Sequence, residues 1–283
     1  MHFISKTRNG ALIAFVSIIL FASCGKSSSG GSQYFTADDN GGYASDASRI
    51  ELANDDAISM ADAAGTYYNA DFIGSTASGV TVSTDTVSIP HTLIIRFGTT
   101  DVVCLDGKKR SGAIIISYSG EYTDTAQPHT ITFDNYTIND NQLTGSVEVT
   151  RVDTTVAGNW YYKERVTETM NMGTATNNTQ TVIWNGSLVR KWVTGYATGT
   201  RTDDVFSISG SANLTRANGS TYSFGLATPL QIAMDCNFAE AGVVDVSGYS
   251  GARTLNYGSG TCDAYAQVTL GQDNSVHNVI LLQ

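Results

Sequence analysis

The sequence predicts an all-β protein: a large curved antiparallel sheet, half-barrel-like or folded into a two-sheet sandwich, with one short N-terminal helix. Three observations predict it. Beyond Thr81 apolar and polar residues alternate with period two, as half-buried strands require. Only three prolines occur, Pro90, Pro128 and Pro229, in a chain rich in Thr, Ser, Val, Tyr and Gly, which is strand and turn material. Finally, LTGSVEVTR at Leu143 to Arg151 returns as ISGSANLTR at Ile208 to Arg216, implying two equivalent hairpins.

In chain order, Lys6 and Arg8 precede an apolar run from Ala11 to Ala22, the layout of an export signal over residues 1–23. The run is too short for the ~20 residues that span a bilayer. Residues 24–45, beginning CGKSSSGGSQ, have the composition of a flexible linker. A β-rich domain over 46–283 follows, about 240 residues, suited to one large β domain or two small ones. Its helix is expected at about 48–65: Ile50, Ala53, Ala57, Met60, Ala61 and Ala64 recur at spacings of three and four. Asp46 or Ser48 serves as cap and Gly65 as stop. Asp55, Asp56 and Asp62 then form a solvated face.

Among the strands, Tyr222, Phe224, Leu226, Leu230, Ile232, Met234 and Cys236 share one parity across a line that should bend or break near Pro229, which cannot donate to a ladder. In WYYKERVTETMNM, Trp160, Tyr162, Val166, Met170 and Met172 lie on one side and Lys163, Arg165 and Thr167 on the other. Within TITFDNYTI the parity switches between Phe133 and Tyr136, so a bulge is expected at Asp134 or Asn135. Asn218 and Gly219 suit the tip of the second repeat hairpin.

Without the signal the chain loses two bases and no acid, leaving 14 basic against 26 acidic residues, a charge of 14 − 26 = −12. Nucleic acid is therefore not expected as a partner, because phosphate binding needs a basic surface. Cys104, Cys236 and Cys262 permit one disulfide. Cys236 with Cys262 is favoured, both lying near turns of the final meander, and such a link contributes about 3 kcal/mol in the entropy model.

No CxxC or His pair suggests a metal, no nucleotide, calcium or haem motif suggests a cofactor, and GYSG at Gly248 to Gly251 is not a nucleophile elbow. His91, His129 and His277 read as surface-loop residues. Glu164 and Glu168 share a strand face and could serve a glycosidase, but read more simply as a solvated or edge feature. Trp160, Tyr161, Tyr162, Trp184 and Trp192 could form a sugar platform or line an apolar groove, with core packing as the default. No catalytic residue is expected.

Two resemblances add to this reading. FASC, ending at Cys24, resembles the lipobox of bacterial lipoproteins, with Phe21 where that family usually has Leu. The resemblance implies acylation of Cys24 by palmitate-like chains and anchoring to a membrane through them. By the same family's sorting rules, Gly25 implies the cell outer membrane, and the absence of an acidic cluster after Cys24 its periplasmic face. Moreover, DGKKRSGAIIISYSG, TFDNYTINDNQLTGSVEVTR and GSGTCDAYAQVTL look like a group of uncharacterised β-rich envelope lipoproteins of Bacteroidota, from which no activity carries over. The expectation is thus a noncatalytic lipid-anchored envelope lipoprotein with a binding or scaffolding role, toward an apolar ligand or an envelope protein partner. A carrier of lipid in a concave sheet, and an envelope glycan-acting enzyme or glycan-binding protein, are the alternatives.

Overall fold

The computed structural model describes residues 40–67, 79–125, 127–152, 161–173, 180–196, 198, 201–248 and 251–281. Helix α1 spans Asn40–Tyr67. The strands follow: β1 Thr81–Asp85, β2 His91–Val103, β3 Lys109–Tyr118, β4 His129–Ile138, β5 Asn141–Val152, β6 Tyr161–Met172 and β7 Gln180–Thr194. After a 3-10 turn at Arg201–Asp203 come β8 Val205–Arg216, β9 Thr221–Ala233, β10 Ala239–Gly248, β11 Arg253–Ser259, β12 Tyr265–Leu270 and β13 Val276–Ile280.

All thirteen strands belong to one antiparallel meander in sequence order, with β1 and β13 as its edges. The sheet is not closed into a barrel, and because it is continuous it is not a two-sheet sandwich. It curls around α1, which touches β2, β3 and β4 on one wing and β10, β11 and β12 on the other. Between the wings, long side chains of β7 and β8 reach inward to the helix. No described side chain of α1 from Asp46 to Gly65 is exposed.

That enclosure corrects the expected helix. It begins at Asn40, inside the expected linker, and runs through Gly65 to Tyr67, beyond the expected 48–65. Local propensity disfavours Gly65 in a helix by about 1 kcal/mol, but packing inside a sheet outweighs propensity. Gly65 is where the Tyr122 ring presses against the helix: a Cβ there would lie 2.3 Å from the ring. Asp55 and Asp56 are buried and Asp62 is half-buried, so these acids do not form the expected solvated face. One apolar stripe implies a helix lying on a sheet; a helix surrounded by sheet buries its polar side as well.

The curl has local causes. The bulge expected near Asn135 is present: Asn135 has φ 48°, and the β4–β5 register shifts between Thr132 and Thr137. In the repeat, Gly145 and Gly210 carry φ of 103° and 127°, a region that side chains rarely enter. Each lies beside a shifted register, β4–β5 for Gly145 and β8–β9 for Gly210. A Cβ would meet the Thr167 carbonyl oxygen at 2.2 Å in one copy and that of Ser187 at 2.4 Å in the other. The repeat thus encodes two matching kinks. Gly145→Ala and Gly210→Ala are expected to lower stability by about 1–3 kcal/mol each, read as similar drops in the denaturant midpoint; a neutral result for either removes that kink from the account.

β9 runs unbroken through Pro229, whose neighbours shift register against both β8 and β10. The strand bends rather than breaks. Gly219 has φ 83° at the β8–β9 tip, where its amide donates to the Arg216 carbonyl over 2.9 Å. Cys236 is joined to Cys262, tying the β9–β10 turn to the β11–β12 turn, and Cys104 is a buried free thiol.

Candidate functional site

The sequence alternates faithfully on β6, and that places two acids indoors. Glu164 and Glu168 share parity with Tyr162, Val166 and Met170, and all five are buried. The expected solvated or edge position is corrected: the face they share is the one that meets α1. His129 is corrected likewise. It is buried, its Nε2 lying 3.4 Å from the Tyr122 hydroxyl, which donates to Asp62 Oδ1 over 2.8 Å. Burial holds its imidazole below the usual histidine range, hence neutral.

The helix and the sheet are joined by three sets of ion pairs. At the start of the described helix side chains, Arg216 Nε of β8 donates to Asp46 Oδ2 over 2.8 Å, and Gln180 of β7 adds a 3.3 Å bond to the same oxygen. On the β3 side Arg110 grips Asp56 in two-pronged fashion, Nη2 to Oδ1 at 2.6 Å and Nε to Oδ2 at 3.1 Å. The same guanidinium donates to Asp106 at 3.0 Å, while Lys108 Nζ reaches Asp56 at 2.9 Å. Burial alone would raise the Asp56 carboxyl; Arg110 and Lys108 outweigh it and hold that carboxyl well below its usual range. From β7, Arg190 places Nε 3.3 Å from Asp55 Oδ1, donates from Nη2 to Ser59 Oγ at 2.6 Å, and lies 3.7 Å over the Phe206 ring.

Beside Arg190 lies a second group, Glu51, Glu164 and Glu168, each 1 % exposed. Among the described residues, neither carboxyl oxygen of Glu51 or of Glu168 has a hydrogen-bond partner. Burial raises all three carboxyls, Glu164 to about 8, and their mutual repulsion adds to it at Glu51 and Glu168.

Solvent reaches the ion-paired acids through a recess. This cleft of about 350 Å³ opens between α1, the β2–β3 turn and the β9–β10 turn. Asp55, Asp56, Ser59 and Met60 of α1 form its floor, Leu105 and Lys108 one wall, Ile232 and Met234 the other. Asn237 Nδ2 donates to the Asp106 carbonyl at 3.2 Å, fastening the two turns together at its rim. Its mixture of apolar walls and a few polar groups is that of a small-ligand pocket, at the lower end of the usual size.

At Glu164 and Asp56 the arrangement separates what acid–base catalysis needs together. A general base must be reachable and must titrate near the working pH. Glu164 meets the second requirement and is sealed; Asp56 borders the cleft but is held far too acidic. Among the described residues one set of possible metal ligands converges, Cys236, Glu240 and Cys262, and the disulfide consumes both thiols.

Sequence reasoning missed this seam almost entirely. Parity on β6 was a usable signal for Glu164 and Glu168; nothing in the pattern marked Arg110, Arg190 or Arg216 as inward partners of a helix. Core packing, the default for the aromatic residues, holds for Trp184 and Tyr162, which are core residues, while Trp192 stacks on Phe206 at 5.5 Å. Trp160 and Cys24 lie outside the described residues. No known protein family, curated protein or solved structure matches this chain.

Proposed function

We propose that this chain is a noncatalytic lipoprotein of the cell envelope, held at the periplasmic face of the outer membrane by acyl chains on Cys24, with a binding or scaffolding role. The observation that carries the noncatalytic binding reading is the helix inside the sheet. α1 occupies the concave face that a lipid carrier would need empty. Glu164 and Glu168 are enclosed where a glycan could not reach them. What remains for partners is the outer face of the sheet and the cleft beside α1.

The anchor reading rests on the apolar run ending in FASC and on the Ser/Gly-rich stretch after it. More than one acyl chain is needed for a stable hold, at about 0.8 kcal/mol per buried CH₂. A tether at Cys24 would pull on α1 first, and the ion pairs of Asp46, Asp56 and Asp55 would pass the load to β8, β3 and β7. Cys24→Ala is expected to move the protein from the membrane fraction to the soluble fraction while its folded signature persists. Mass spectrometry of the mature terminus decides the matter: an unmodified terminus at another residue overturns the anchor.

A further inference from the structure

The seam contains more acid than its cations can neutralise. Glu51 faces Glu164, Glu168 and Asp55, with Arg190 of β7 as the nearby cation and Tyr257 of β11 near enough for its hydroxyl to feel the Glu51 charge. Glu164 faces Arg190, Asp55 and Asp62, with Asn54 of α1 beside it, and Glu168 faces Glu164. Asp62 is half-buried and takes the Tyr122 hydroxyl. Were Glu51, Glu164 and Glu168 all ionised beside the Asp55–Arg190 pair, the group would carry −4 + 1 = −3, with the three glutamates themselves enclosed. An uncompensated charge of that size in a dry core is not sustainable.

Two occupants could close the balance, a metal ion or protons. A metal needs its ligand oxygens within chelating distance of one another, and among the described residues these three carboxyls do not converge in that way. With Asp55 ionised against Arg190 and each of the three glutamates holding a proton, the charge closes at zero. The same assignment explains why both oxygens of Glu51 and Glu168 are tolerated without an internal donor, since a neutral carboxyl costs far less to bury than a carboxylate.

We propose that Glu51, Glu164 and Glu168 form a proton-held latch: protonated, they let α1 sit inside the sheet, and withdrawal of their protons loosens that seat. The sign follows from linkage. A carboxyl raised by folding contributes stability that is complete below its unfolded value and is lost as pH rises through its folded value, about 8 for Glu164. His129, kept neutral by burial, acts with the opposite sign below its ordinary value near ~6.5. The latch is therefore read cleanly above that point.

Between about pH 6.5 and 8 the folding equilibrium is expected to weaken about tenfold per pH unit for each latch proton retained, measured by denaturant titration of the whole folded domain. Glu51→Gln and Glu168→Gln should each reduce that slope by one proton, and hydrogen exchange, corrected for intrinsic rate, should show α1 amides losing protection before those of β3 and β4. Infrared spectra of the unaltered protein should contain bands of un-ionised carboxyl groups at neutral pH, a readout that stands even if a variant fails to fold. Stability that is flat or rising over this range, or the absence of those bands, overturns the latch. So does an ion retained in native mass spectra together with a thermal midpoint raised by millimolar calcium, which would put a metal where the protons are assigned.

Discussion

Arg110→Ala is expected to lower folding stability by about 3–5 kcal/mol, the usual cost of leaving a buried charge without its partner. Arg110 is 0 % exposed and binds Asp56 and Asp106 at once, so its loss leaves two carboxylates at the α1–β3 contact with Lys108 as the remaining cation beside them. It also removes the guanidinium lying 6.0 Å from the centre of the Phe97 ring. The double variant Arg110→Ala, Asp56→Ala should recover part of the loss, because it removes the stranded charge as well; that recovery is the coupling between the two residues. A pH series adds a check of sign. The Asp56 carboxyl is depressed by folding, so the stability it supplies is present above the ordinary Asp range and lost as pH falls below it, and Arg110→Ala should flatten this acid limb. Equal midpoints for the single variant and the unaltered protein would show that the pair is not holding the helix.

Phe224→Asp is expected to abolish folding. Phe224 is fully buried on β9, its ring edge-on to Trp184 with centroids 4.9 Å apart. Removing a buried phenyl ring alone costs about 3–5 kcal/mol, and a carboxylate set among Trp184, Ala212 and Val246 adds the penalty of an unpaired charge. Together these approach the whole stability of an ordinary domain, about 5–15 kcal/mol. Ala227→Asp, at an exposed position of the same strand, should stay within about 0.5 kcal/mol of the unaltered protein. Circular dichroism and the denaturant midpoint distinguish the two. A folded Phe224→Asp with an unchanged midpoint would mean that β9 does not face the core as described.

Local pattern alone determined the strands, their faces and several of their irregularities. Strand parity is a short-range property, written in every second residue, and it placed Tyr222, Phe224, Leu230 and Ile232 on one buried face and the bulge at Asn135 where the parity changes. The repeat likewise matched Gly145 with Gly210, two kinks with the same backbone requirement. An antiparallel meander needs little else to be anticipated, because each strand pairs with the next.

Only the tertiary structure decided what the concave face holds. That a sheet curls far enough to enclose a helix depends on twist summed over thirteen strands and on kinks too small to be scaled from sequence. Between Asp46 and Gly65 α1 has no exposed side chain, so Asp46, Asp55 and Asp56 are bound by arginines far along the chain, Arg110 at a separation of 54 and Arg216 at 170. Charge pairing over such separations leaves no periodic trace. The acids of α1 and β6 look the same in sequence whether they face water, a cation or one another, and the difference between those three surroundings is what makes Asp56 an ion-pair partner and Glu51, Glu164 and Glu168 a protonated group.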